Sequence, residues 1–60
     1  MDTYFEYQLK LLKLLAEHYD ENAIKEFNRT SEYSEIIVEN EKLYLIGDDL
    51  STVAEADIIS

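Results

Sequence analysis

Residues 36–46 read Ile-Ile-Val-Glu-Asn-Glu-Lys-Leu-Tyr-Leu-Ile. Two runs of β-branched, aliphatic and aromatic side chains flank the polar residues 39–42, and this pattern is typical of two strands joined by a tight turn. Asn40 is a residue type that tolerates the backbone conformation of such a turn, although the glycine that often follows it is missing. This stretch therefore predicts a β-hairpin.

Alternation along the two strands divides their apolar side chains between the two faces of the hairpin. Ile36 and Val38 share one face of the first strand, and Leu43 and Leu45 share one face of the second. The residues left for the opposite faces are Ile37, Tyr44 and Ile46. Both faces of the hairpin are therefore expected to be partly apolar.

The segment before the hairpin has a helical period. Residues 3–6 read Thr-Tyr-Phe-Glu, which fits a capping box and predicts that a long helix begins at Thr3. Its charged residues form one narrow solvated stripe, whereas its apolar residues cover an arc of roughly 220°, about twice that of an ordinary surface helix. A single small domain can hardly cover an arc of that width.

The wide apolar arc predicts self-association. We expect one side of the helix to pack on the hairpin through Phe5, Leu9, Leu12, Ala16 and Tyr19. A second stripe then remains exposed, and an exposed apolar stripe marks an interface, here most simply a two-fold homodimer. Its residues are Tyr7, Leu11, Leu14 and His18.

Two further elements complete the predicted fold. The polar residues 20–22 are typical of a helix start, and the apolar residues that follow predict a short second helix over about residues 22–28. Beyond Gly47, the spacing of Leu50, Val53, Ala54 and Ile58 favours a short C-terminal helix, with an edge strand over residues 56–59 as the alternative. The predicted class is α+β: a long N-terminal helix, a short second helix, a β-hairpin and a C-terminal helix.

Composition indicates a folded binding protein rather than an enzyme. Residues 1–60 include 47% hydrophobic residues and seven aromatics, which predicts one small acidic domain. The absence of cysteine excludes disulfides and thiolate metal sites, and a single glycine excludes a glycine-rich phosphate loop. His18 has no companion base or nucleophile in a recognisable motif. We therefore expect no catalytic residue, no cofactor and no metal, and we interpret Asp48 and Asp49 as turn residues.

The sequence also bears on location. The first residues contain no basic region or small-residue cleavage site, and no apolar run approaches the roughly 20 residues that span a bilayer. We predict a cytoplasmic protein that does not contact membranes.

Charge is distributed unevenly along the chain. Residues 1–30 carry a net charge of −2 and residues 31–60 a net charge of −7, of the total of −9. The five basic residues are scattered, which disfavours direct binding to nucleic acid, whereas a basic protein surface is the natural complement of the acidic half. The predicted partner-binding residues are Tyr33, Glu35, Glu39, Glu41, Tyr44, Asp48 and Asp49.

Two functions from different classes follow. In the first, the chain is a regulatory or inhibitory protein that blocks a basic surface of a partner; if that surface binds nucleic acid, the carboxylates act as a mimic of DNA. In the second, it is a homo-oligomeric scaffold or assembly subunit whose acidity only confers solubility. In size, acidity and single-domain plan the chain resembles phage-encoded and mobile-element inhibitors, antitoxins and immunity proteins. That resemblance is one of composition and transfers no functional residue.

Overall fold

The computed structural model describes residues 3–59, which form two helices followed by an antiparallel sheet. The elements are α1 (Thr3–Glu17), α2 (Glu21–Thr30), β1 (Ser34–Glu39), β2 (Lys42–Gly47) and β3 (Thr52–Asp57). The three strands lie in the order β1-β2-β3. The predicted α+β class is confirmed, and so are both helices and the hairpin of β1 and β2.

The C-terminal segment is a strand, so the predicted C-terminal helix is absent from residues 50–59. β3 pairs antiparallel with β2, with one shift in register between Leu45 and Ile46 that leaves Val53 unpaired. The strand begins at Thr52, earlier than the alternative over residues 56–59. Leu50 has a φ of 67°, a left-handed conformation that cannot start a right-handed helix. A short helix is costly to nucleate, whereas a strand at this position completes the sheet and buries alanines against the core.

The turn between β1 and β2 contains only Asn40 and Glu41. Glu39 and Lys42 are directly opposite each other, and the two turn residues have φ values of 53° and 62°. Positive φ at both central residues is the signature of the type I′ turn, whose twist matches that of the strands it joins. The chain makes this turn without glycine, and Glu41 therefore adopts a conformation that its Cβ disfavours.

Both helices pack on one face of the sheet, and a single apolar core lies between the helices and that face. The buried residues are Leu12, Leu15 and Ala16 of α1, Ile24 of α2, and Ile36, Leu43 and Leu45 of the sheet. The buried sheet residues alternate with more exposed ones, as the hairpin pattern predicts. The structure is thus two-layered, with the opposite face of the sheet left uncovered by the described residues.

Three of the residues predicted to pack on the hairpin depart from that expectation. Phe5 and Leu9 are only half-buried, and Tyr19 remains 40% exposed. Because α1 ends at Glu17, Tyr19 lies beyond the last helical turn and does not continue the buried stripe. In contrast, Gln8, a polar residue within the apolar arc, is buried.

Polar side chains connect the layers and cap the elements. The Nε2 of Gln8 donates to the Oγ of Ser34 at 2.6 Å, which joins α1 to the start of β1. Asp20 caps α2 by accepting from the backbone N–H of Asn22 at 3.0 Å. After β3, the N–H of Ile59 donates to the carbonyl of Ala16 at 3.1 Å, which binds the end of the described chain to the end of α1.

Neither helix among residues 3–59 is both long enough and apolar enough to cross a membrane.

Candidate functional site

The face of the sheet turned away from the helices has an apolar centre. We call this surface the outer face. Strand pairing sets Ile37 directly opposite Tyr44, with Ile46 two residues further along β2 on the same side. Ile37 is 40% exposed, and Tyr44 and Ile46 are half-buried. These three side chains pack beside one another without a covering layer from residues 3–59.

Carboxylates surround the apolar centre of the outer face. Glu35 and Glu39 lie on β1, about 13 Å apart at ~3.3 Å per residue, and Glu55 and Asp57 lie on β3. Lys42 lies among these carboxylates, with its Nζ 3.6 Å from a carboxylate oxygen of Asp57 and 3.9 Å from one of Glu55. An apolar centre with a charged rim is the usual anatomy of a protein-protein interface.

A cleft of about 350 Å³ opens at one end of the outer face. It lies where the loop before β1 meets the turn after β2, and its lining includes Glu32, Tyr33, Glu35, Ile46, Asp48 and Leu50. Tyr33 is 61% exposed and Leu50 is 86% exposed. Three carboxylates beside an accessible aromatic ring form a site suited to a lysine or arginine side chain, which an aromatic face also attracts.

Local hydrogen bonds hold both loops that form the cleft. In the first loop, the N–H of Ser34 donates to the Oγ of Ser31 at 3.2 Å. In the second, the N–H of Gly47 donates to the carbonyl of Ser51 at 2.9 Å, and the N–H of Leu50 donates to the carbonyl of Gly47 at 3.0 Å. The loops are therefore ordered by the chain itself, which lowers the entropy cost of binding a partner there.

Asp49 stabilises the second loop. Its Oδ1 accepts from the hydroxyl of Ser51 and from the Ser51 backbone N–H, the latter at 3.1 Å. These hydrogen bonds to the charged form lower the pKa of Asp49 below its ordinary value of 3.8. The carboxylate of Asp49 therefore stabilises the turn, whereas that of Asp48 lines the cleft.

The structure brings together only part of the predicted partner-binding set. Tyr33, Glu35 and Asp48 line the cleft. Glu39 and Tyr44 lie on the outer face, whereas Glu41 lies in the turn at the opposite end of the hairpin from the cleft. The predicted residues thus form a row along the hairpin rather than one cluster.

Sequence reasoning missed several residues of this surface. The predicted C-terminal helix contains Glu55 and Asp57, and the alternative edge strand contains only Asp57; the observed pairing of β3 brings both to the outer face. The same spacing predicts Leu50 as an apolar residue of that helix, but Leu50 is exposed and has a positive φ. The β-branched residues Thr52 and Val53, which follow the predicted turn, are a signal that could have indicated a further strand beginning there.

The predicted self-association stripe on α1 is largely exposed. Tyr7 is 63% exposed, Leu14 is 50% exposed and His18 is also exposed. Leu11 departs from the prediction because it is half-buried against the core, beside Phe27 of α2. Tyr4, 52% exposed, lies on the same side of the helix and extends the stripe.

The chemical groups of the cleft can be compared with the titratable residues elsewhere among residues 3–59. His18 directly follows the end of α1 and does not line the cleft, which contains carboxylates, hydroxyls and apolar groups. Within residues 3–59 there is no group of three or more His, Cys, Asp or Glu side chains arranged to hold a metal ion. Comparison with protein-family models, curated proteins and solved structures gives no match to this chain.

Proposed function

We propose that this chain is a small regulatory or inhibitory protein that covers a basic surface of a partner protein with its outer face and the adjoining cleft. The observation that carries the proposal is the uncovered apolar centre of Ile37, Tyr44 and Ile46 within a rim of carboxylates. The apolar centre would supply affinity, and the carboxylates would accelerate association and exclude acidic partners.

Leu50 gives further support. A leucine held at positive φ is strained, and a leucine that is 86% exposed gains little from the fold. Strain of this kind is often found at binding sites. In the proposal, Leu50 is an apolar anchor at the rim of the cleft, while Tyr33 contacts a basic side chain of the partner.

The proposal assigns the protein to the cytoplasm, because a chain without cysteine carries no disulfide to stabilise it in an oxidising compartment. It extends to a partner surface that normally binds nucleic acid. In that case duplex DNA should compete with the chain, because both would occupy the same basic residues.

The deciding experiment compares two double charge reversals. The wild-type chain is used to capture proteins from a lysate, and the captured protein is then purified for kinetic measurement. Glu35→Lys with Glu39→Lys alters the outer face, whereas Glu6→Lys with Glu21→Lys makes the same charge change on the helices. The first pair should slow association at least about tenfold, and the control pair should leave it within about twofold.

Salt dependence gives an independent readout of the same complex. Its affinity should fall steeply as ionic strength rises, because the rim charges are exposed and screened. A complex insensitive to salt, or one weakened equally by both charge reversals, would contradict recognition by the outer face. Leu50→Gly should speed dissociation while leaving association nearly unchanged.

Self-association is a second proposal, carried by the exposed stripe on α1. Burial of Tyr7 and Leu14 against a second copy would remove two large apolar side chains from water. The resulting dimer would present two outer faces to partners. In the alternative function, it would instead be an assembly subunit of a scaffold. In the scaffold case the ordered homo-oligomer would capture no basic protein.

Sedimentation equilibrium at micromolar concentration tests this second proposal. Leu14→Glu should give a folded monomer, because Leu14 is not part of the core. Lys13→Gln, on the solvated side of the same helix, makes an equal change in net charge and should leave the dimer intact. A wild-type mass of one chain would exclude the dimer.

A further inference from the structure

The two free edges of the sheet differ in how they are protected. On the β1 edge, the side-chain amide of Asn28 both donates to the carbonyl of Ile36, at 3.2 Å, and accepts from its N–H, at 2.7 Å. Ser31 accepts from the N–H of Ser34 on the same edge. No comparable side chain binds the β3 edge among residues 3–59. An unprotected edge is a template for another strand.

Strand alternation identifies the backbone groups that β3 leaves free. Because Asn28 binds the N–H and the carbonyl of Ile36, these two backbone groups point away from β2. In an antiparallel sheet the direction of the backbone groups then alternates from one residue to the next and from one strand to its neighbour. By this alternation the peptide groups of Ala54 and Ala56 point toward β2, and those of Glu55 point to the free edge. One N–H donor and one carbonyl acceptor at Glu55 are therefore available to a partner strand.

A groove runs beside the end of this edge. It measures about 450 Å³ and lies between α1 and β3, where its lining includes Lys13, Ala16, Glu17, Ala56 and Ile59. The small side chain of Ala56 leaves space on the core side of the edge. The opposite side, continuous with the outer face, carries the carboxylate of Glu55, and Asp57 lies where the groove meets that side.

We propose that the β3 edge binds an extended segment of the partner as a fourth, antiparallel strand with alternating basic and aliphatic side chains. Its basic residues lie beside Glu55 and Asp57, and its aliphatic residues enter the groove beside Ala56. This inference rests on the proposed function, and it specifies that the basic surface of the partner includes an extended segment. Added strands of this kind gain affinity from backbone hydrogen bonds and specificity from alternate side chains.

The negative charge of β3 favours a basic segment of a partner over a second copy of this chain. Antiparallel pairing of β3 with another β3 would bring Glu55 and Asp57 of one copy against the carboxylates of the other, and like charges at directly opposed positions destabilise a sheet. A basic segment would instead be attracted to these carboxylates. Among residues 3–59 it competes with Lys42, whose exposed ion pairs with Glu55 and Asp57 contribute little to stability.

The test uses blocked synthetic peptides of about eight residues with alternating lysine and valine, titrated into the isotopically labelled chain at low salt and followed by NMR. In an antiparallel addition, the lysine opposite Glu55 directs its backbone N–H at β3. A second peptide is therefore N-methylated at the lysine nitrogens, which keeps the charge but removes these donors. The first peptide should shift the amide signals of residues 54–57, and N-methylation should weaken binding at least about fivefold.

Two variants of the chain form a matched pair for the same measurement. Glu55→Pro removes the free N–H of the edge, where proline is tolerated, and Glu55→Thr removes only the carboxylate. The proline variant should bind the unmodified peptide at least about threefold more weakly than the threonine variant.

Two results would overturn the inference. One is equal binding of the methylated and unmethylated peptides, and the other is the absence of shifts at residues 54–57. If signals moved only at Tyr33 and Asp48, a basic segment would bind in the cleft instead, and the proposed function would stand without the added strand. The double charge reversal of Glu35 and Glu39 tests the proposed function separately, because it leaves β3 unchanged.

Discussion

The side-chain amide of Asn28 occupies the position of a neighbouring strand beside Ile36. It accepts from the Ile36 N–H at 2.7 Å and donates to the Ile36 carbonyl at 3.2 Å, as a paired strand would. Because Asn28 belongs to α2, this contact also fixes the helix against the edge of the sheet. One side chain thus closes the β1 edge and positions the helix.

Asn28→Ala should destabilise the fold by about 1–3 kcal/mol, because it leaves two backbone groups of the buried Ile36 without a protein partner. Denaturant unfolding followed by circular dichroism measures the loss. Asn28→Asp keeps the acceptor for the N–H but removes the donor, so its stability should fall between those of the wild type and the alanine variant. An alanine variant as stable as the wild type would show that water replaces the amide.

The pair of Gln8 and Ser34 should show coupling in a double-mutant cycle. Ser34→Ala leaves the buried amide of Gln8 without its partner and should cost about 1–3 kcal/mol. Gln8→Met fills a similar volume with an apolar chain, so the double variant should recover part of that loss. Strictly additive losses in thermal or denaturant unfolding would mean that the two side chains do not depend on each other.

Glu41→Gly should stabilise the hairpin by about 1 kcal/mol, because glycine adopts positive φ without the steric cost that a Cβ imposes. Glu41→Ala removes the same carboxylate but retains the Cβ, and it should give no comparable gain. Unfolding midpoints of the two variants distinguish relief of strain from removal of charge. Equal stabilisation by both would attribute the effect to charge.

Asp49 should contribute to stability in a pH-dependent manner. Hydrogen bonds from Ser51 lower the folded-state pKa of this carboxyl, so its contribution is fully present above the ordinary value of 3.8. It is lost as the pH falls from 3.8 through the folded-state pKa. Asp49→Asn should therefore unfold at a lower temperature than the wild type near neutral pH, and the difference should shrink in acid.

Asp48→Asn is the control for this pH dependence, because it removes one negative charge from the same turn. Thermal unfolding of the three proteins at neutral and acidic pH separates a specific hydrogen-bonding role from general repulsion. A difference between Asp49→Asn and the wild type that does not change with pH would contradict the role assigned to Ser51.

The elements that could be predicted from sequence are those whose signals are local. The long run of leucines on α1 and the alternating strands around Asn40 carry their period in consecutive residues. The C-terminal segment carries an ambiguous period, and its structure depends on pairing with β2. Local pattern cannot reveal a strand whose main stabilisation is a neighbour supplied by another part of the chain.

The candidate surface was predictable to the same extent. Glu35, Glu39 and Tyr44 follow from strand alternation once the hairpin is recognised. Glu55 and Asp57 could not be added without the third strand. The role of Gln8 was equally hidden, because a polar residue within an apolar arc gives no indication of the hydroxyl that will bind it.

The hydrogen bond between Ile59 and Ala16 bears on how the molecule is assembled during synthesis. α1 packs against β2 and β3, which leave the ribosome after it, so the helix has no sheet to cover its leucines until β3 is available. These contacts have a high sequence separation and are therefore slow to form. A nascent chain paused before β3 would expose an aliphatic helix face, and a chaperone that binds such faces would recognise it only in that interval.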